Sequence, residues 1–309
     1  MQRSRKRKQA QFLLQSPLPI KSPSKPRKLI TGSDEKHSAE PYPDHLRPTP
    51  EETLIVRDDL LTLHGFPKEF VKYRRPSSES PSGDLNGRED DGLNEKESVL
   101  DGLVSVILSQ NTTDTNSHKA FSSLKSAFPT WEEVLAAESK CVEDTIRCGG
   151  LAPTKTACIK NMLSCLLERK GKLCFEYLRD MSTEEIKSEL SKYKGIGPKT
   201  VACVLMFQLQ RDDFPVDTHI FHIAKSIGWV PEFADIKKTY VHLNKRIPNE
   251  LKFDLNCLMF THGKLCPQCS KRGSNRLKTK FPFESCPLLN YRKALICDSG
   301  EMLTKSGNG

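Results

Sequence analysis

The chain has 309 residues, a net charge of +9 and a mean hydropathy of -0.53, enough length for a large core but diluted by polar segments. Its longest apolar run near the middle, Val201 to Phe207, is too short to span a membrane, and no secretory signal peptide is visible. Eleven cysteines in such a chain read as reduced thiols or metal ligands rather than as a disulfide framework.

Residues 1–30 hold nine Lys or Arg and no acid, so this stretch alone matches the whole net charge. With the Pro/Ser/Lys composition that follows, residues 1–49 are expected to be a disordered basic tail. Arg5-Lys6-Arg7-Lys8 fits a nuclear address, and nuclear localisation is expected over an organelle. A polyanionic partner suits the charge.

Ordered structure is expected from residue 50, where Thr53 to Phe70 carries apolar residues at helical intervals. Residues 76–97, with seven acids against two bases, read as a low-complexity acidic loop. From Ser98 onward the pattern is helical. Val99, Leu100, Leu103, Val104, Ile107 and Leu108 recur at spacings of three and four, which buries one face. Thr130 to Glu133 and Ser182 to Glu185 both match a capping box and mark helix starts. No strand-like alternation competes, and the fold is expected to be all-α.

The most informative segment is Lys192-Tyr193-Lys194-Gly195-Ile196-Gly197-Pro198-Lys199-Thr200. A capped helix with Ile186, Leu190 and Tyr193 on its face runs in, and an apolar helix, Val201 to Leu209, runs out. Gly195 and Gly197 permit a tight left-handed turn and a close approach of backbone to a partner. Pro198 suits the first turn of the second helix, and the free N–H groups there form a cradle for a phosphate oxygen. Lys199 would occupy that first turn, where the macrodipole opposes a positive charge. It is either a nucleophile, which must lose its proton to attack, or a plain phosphate contact. Downstream, Phe214-Pro215-Val216-Asp217-Thr218-His219-Ile220 places Asp217 before a helical run. Asp217 is a helix cap, a carboxylate able to stabilise an oxocarbenium-like sugar, or both.

Gly-Ile-Gly-Pro-Lys-Thr followed by Val-Asp-Thr-His-Ile resembles the helix-hairpin-helix, Gly/Pro-rich loop and aspartate of base-excision DNA glycosylases, endonuclease III-like enzymes above all. The resemblance spans roughly residues 98–288. It implies that Lys199 attacks the sugar C1′, expels the base and forms a Schiff base that leads to strand cleavage, with Asp217 assisting. It also implies that Asn111, with Gln110 beside it, fills the gap left by the flipped base. Leu151, after Gly149-Gly150, matches the apolar wedge that props the opened duplex, its alternative being a core leucine. His222 stands where close relatives carry arginine.

The family's iron–sulfur signature begins after a His-Gly-basic segment, here His262-Gly263-Lys264. Cys266, Cys269, Cys286 and Cys297 follow at gaps of two, sixteen and ten residues, a spacing unlike the family's own. Three outcomes fit: a rearranged 4Fe-4S cluster completed by Cys297, favoured by the resemblance; a zinc site on the same thiolates; or no metal.

The expected architecture is two helical lobes with a cleft between them for DNA. Residues 98–218 form the lobe that carries the hairpin. Residues 50–75 and 219–297 form the second lobe with the candidate metal site, and 298–309 form a disordered tail. The expected function is a DNA glycosylase with AP lyase activity, acting as a monomer on double-stranded DNA that contains a damaged or modified base. The alternatives are a monofunctional glycosylase and a catalytically idle DNA-binding module.

Overall fold

A computed structural model describes residues 40–74, 97–269 and 286–291 of the chain. Most of the expected basic tail, the acidic loop, Cys297 and residues 298–309 lie outside them. Among the described residues the regular structure is helical throughout, as the apolar spacing predicted.

Two apolar cores organise the fold. The first gathers α2 (Val99–Ser109), α3 (Asp114–Ala127), α4 (Trp131–Ala136), α5 (Ser139–Thr145), α6 (Ala152–Lys170), α7 (Thr183–Leu190) and α8 (Pro198–Cys203). The stripe on α2 is fully used: Val99, Leu103, Val104, Ile107 and Leu108 are all buried in it. Helix ends follow the capping chemistry. Ser182 and Glu185 close a reciprocal capping box on α7, and Thr130 accepts from Glu133 N on α4.

The second core combines helix α1 (Pro50–His64) with α9 (Thr218–Ser226), α10 (Ile236–Arg246), α11 (Asn249–Leu265) and the segment around Leu288. It starts earlier than expected. Tyr42 is buried in it, His45 Nε2 bonds Gly228 O at 3.0 Å, and Glu40 pairs with His242 Nδ1 at 2.6 Å. Residues 40–49 therefore fold, because Tyr42 packs on His242 of α10 and that buried histidine bonds both Glu40 and Arg47 O, and the expected tail of 1–49 is too long. The change from one core to the other also comes sooner than residue 218, since Phe214 and Val216 already pack in the second.

The expected helix Val201 to Leu209 does not stay regular. After Cys203 the backbone widens into a π-turn, Val204–Gln208. Gly102 on α2 accommodates it, because a Cβ there would sit 2.1 Å from the Gln208 side chain. On the other side Phe207 stacks on Phe70 at 5.5 Å and meets Phe253 at 6.1 Å, so this turn joins the two cores.

Candidate active site and metal centre

The C-terminal end of α2 collects three loops. Gln110 caps the helix, and its Nε2 donates to Thr200 Oγ1 on α8 at 3.2 Å. Asn111 follows with φ +53°, a left-handed conformation that asparagine adopts at lower cost than most residues, and its side chain is exposed. The third loop, Gly149-Gly150-Leu151, is drawn in by a residue the sequence did not single out. Lys155 is 3% exposed, and its Nζ donates to Leu108 O at 2.6 Å and to Gly149 O at 2.8 Å. The first carbonyl belongs to the last turn of α2, where it has no helical partner and where a cation is favoured.

That lysine fixes the neighbouring Leu151 in the open. Leu151 has φ +50° and is 53% exposed, so it is not a core leucine. A bulky residue held left-handed and turned to solvent is strained, as residues at ligand-gripping sites often are. Lys155→Met is expected to lower stability by about 2–4 kcal/mol, since two buried carbonyls lose their partner. Urea unfolding measures it, and a loss under about 0.5 kcal/mol would mean that the loop relaxes onto water instead.

The hairpin is asymmetric in a way its sequence concealed. Gly195 has φ +94°, and a Cβ there would lie 2.5 Å from Cys158 Sγ, so both backbone and packing demand glycine. Gly197 is instead extended, φ −89°, serves as the N-cap of α8, and would have open space around a Cβ. Among the described residues nothing requires a glycine at 197. Pro198 opens α8 as expected, and Lys199 stands exposed in its first turn.

Asp217 is the N-cap of α9, its Oδ1 accepting from Ile220 N at 2.8 Å. The chain leading to it is clamped by two asparagines. Asn244 bonds both Phe214 N and Phe214 O, and Asn256 Nδ2 donates to Pro215 O at 2.8 Å. Cys203, one turn beyond Lys199, relates the two candidate residues. Burial pushes its thiol up to about 11, Lys199 opposes that rise, and Asp217 adds to it. Both charges thus reach the thiol at the end of α8. His222 is exposed on α9.

Cys266, Cys269 and Cys286 come together as the sequence suggested, and among the described residues the fourth donor grouped with them is His262, Cys297 lying outside those residues. All four are buried, and their ligand atoms lie within 4.8 Å of one another. Cys269 Sγ is 3.8 Å from Cys286 Sγ, and Cys286 Sγ is 3.5 Å from His262 Nε2. The far ring nitrogen, His262 Nδ1, meets His64 Nε2 of α1 at 2.9 Å. His262 lies on the last turn of α11, one turn before Cys266, a spacing of four that puts both on one face. That i, i+4 relation was the available signal.

A profile described as HhH-GPD superfamily base excision DNA repair protein matches residues 104–249. A candidate DNA glycosylase of Arabidopsis thaliana is 57% identical over 264 residues, 83% of this chain and 90% of that protein. The DNA glycosylase/AP lyase ROS1 of the same plant is 33% identical over 118 residues, 38% of this chain but 8% of its own length. Among solved structures, an endonuclease III in a non-covalent complex with DNA covers 81% of this chain and 99% of its own. Its TM-score is 0.58 at 21% identity, a likeness of fold. The chain is a member of the HhH-GPD superfamily of base excision DNA repair proteins.

Proposed function

We infer that this protein is a bifunctional DNA glycosylase/lyase that flips a damaged or modified base from duplex DNA, cleaves its N-glycosidic bond and nicks the strand. One observation carries the reading: an exposed lysine opens the helix after the Gly195-Ile196-Gly197-Pro198 turn, and α2 ties that helix to the two loops that bear Asn111 and Leu151. In this reading the loops divide the labour. Leu151 enters the stack as a wedge, Asn111 occupies the vacated position, and Gln110 keeps that loop in register with α8. Flipping costs a few kcal/mol of unstacking, which such plugs offset. The free N–H groups beside Gly197 hold a phosphate, and the open space at that glycine leaves room for the DNA backbone. Lys199 Nζ attacks C1′ of the sugar as the base departs, while the Asp217 carboxylate stabilises the positive charge that develops there.

An idle DNA-binding module needs neither Lys199 nor Asp217, and a monofunctional enzyme that activates water has no use for an amine nucleophile. A panel of duplexes with defined lesions, scored separately for base release and nicking, tests the reading. Both products from at least one lesion are expected. Release that leaves every abasic strand intact would favour the monofunctional alternative, and binding with neither product would favour the module.

A further inference from the structure

The likeness to endonuclease III implies a 4Fe-4S cluster near the end of α11, and the donor set found there does not fit one. In a four-iron cluster each ligand binds a different corner of the cube, which holds the ligand atoms roughly 6 Å apart. Here all four donors lie within 4.8 Å of one another. That leaves no volume for four irons and four sulfides.

The span of 4.8 Å is close to that of donors around a single tetrahedral ion, and two of the separations match one directly. With Zn–S bonds of about 2.3 Å and a Zn–N bond of about 2.05 Å, tetrahedral angles place two sulfurs about 3.8 Å apart and a sulfur and nitrogen about 3.6 Å apart. The observed separations are 3.8 Å for Cys269 Sγ to Cys286 Sγ and 3.5 Å for Cys286 Sγ to His262 Nε2. We propose that His262, Cys266, Cys269 and Cys286 form a closed Cys3His site for one zinc ion, in place of the iron–sulfur cluster.

The surroundings agree with that assignment. The coordinating nitrogen is Nε2, and the Nδ1 of the same ring is engaged by His64 Nε2, which takes the place of the carboxylate or carbonyl that commonly orients a metal-bound imidazole. All four ligands are protein groups and buried, so the ion has no open position for substrate and its role is structural. The site joins the end of α11 and the turn to Cys269 with Cys286, 17 positions beyond Cys269, in a segment that Leu288 and a 3.0 Å bond from Tyr291 to Asp59 fasten to the second core. It also fixes the turn of α11 that contacts the catalytic side. A Cβ on Gly263 would lie 2.6 Å from His219 of α9, two residues from Asp217, and Lys264 pairs with Asp114 at the start of α3. The ion thus holds the helix that braces both the Asp217 cap and the loop preceding α3.

Elemental analysis of the full-length chain, purified anaerobically without chelator, tests the proposal. About one zinc per chain is expected, with neither iron nor acid-labile sulfide. Exchange with cobalt(II) should produce the visible ligand-field bands of a tetrahedral thiolate site. About four irons per chain with matching sulfide and a brown colour, or a protein free of both metals, would overturn it. Two variants read out the ligand set. Cys297→Ser should keep its full zinc content, whereas a cluster completed by Cys297 would lose its metal. His64→Ala, which spares every ligand, should weaken zinc retention against a competing chelator by about 10–100-fold. Zinc loss in Cys297→Ser together with undiminished retention in His64→Ala would place the fourth ligand elsewhere. None of these readouts depends on glycosylase activity.

Discussion

Lys199→Gln is expected to abolish the covalent enzyme–DNA adduct that borohydride traps during turnover, and to cut strand nicking by roughly a thousandfold or more. The argument rests on chemistry that only an amine can perform. A Schiff base forms when a neutral lysine nitrogen adds to C1′, and its reduction makes the bond permanent. Glutamine has nearly the same length and polarity and can still contact a phosphate, but its amide nitrogen is not a nucleophile. A lysine that merely gripped the backbone would therefore be replaced with a modest loss of affinity and no change in trapping. The packing around position 199 leaves little room for indirect effects. Lys199 is exposed, and the helix start it occupies is set by Pro198 and by the Gln110–Thr200 bond. Folding stability should stay within about 0.5 kcal/mol of the parent chain, as for surface substitutions generally. Trapping that persists undiminished in a folded Lys199→Gln protein would move the nucleophile to another residue.

How much of this was visible in the sequence depends on how local the information is. The hairpin, Pro198, Lys199 and the Asp217 cap sit within short runs whose order is their signal, and each falls where the residue types predicted. The helical stripe of α2 was equally plain, because burial imposes a period that nine or ten residues suffice to display. What escaped were features set by contacts between distant segments. Gly195 and Gly197 look alike in sequence, but only Gly195 meets Cys158 and takes a positive φ. Lys155 reads as one more helical lysine, and nothing near it announces that its amine caps a helix 47 positions away. Tyr42 lies in a Pro- and charge-rich stretch whose composition suggests disorder, and its burial depends on α10. For the metal ligands, the cysteine spacing supplied three of the four. His262 belongs to the His-Gly-basic landmark, but counting cysteines alone passes over it; Cys297 lies outside the described residues.

Asp217→Asn is expected to reduce turnover by about 10²–10³-fold while leaving fold and DNA binding intact. The residue carries two roles that the substitution separates. As N-cap of α9 it accepts from Ile220 N at 2.8 Å, a contact that the asparagine carbonyl oxygen can make equally well. Asp217→Ala would remove that bond and cost about 1 kcal/mol, whereas the asparagine variant should unfold within about 0.5 kcal/mol of the parent. The charge is what asparagine cannot replace. Breaking a glycosidic bond leaves positive charge on the sugar, and a preorganised carboxylate stabilises that charge only while it forms. Affinity for duplex should stay level or rise, because the substitution removes a negative charge that would face the phosphate backbone. The clamp by Asn244 and Asn256 on the chain before residue 217 keeps the side chain in place in either form, so a loss of rate would report charge rather than position. Single-turnover base release on a lesion that the parent enzyme processes is the measurement, paired with a denaturation curve and a binding titration for each variant. Near-parental turnover in Asp217→Asn, with Asp217→Ala destabilised by the amount a lost cap costs, would reduce Asp217 to a capping residue and require another source for the sugar's electrostatic support.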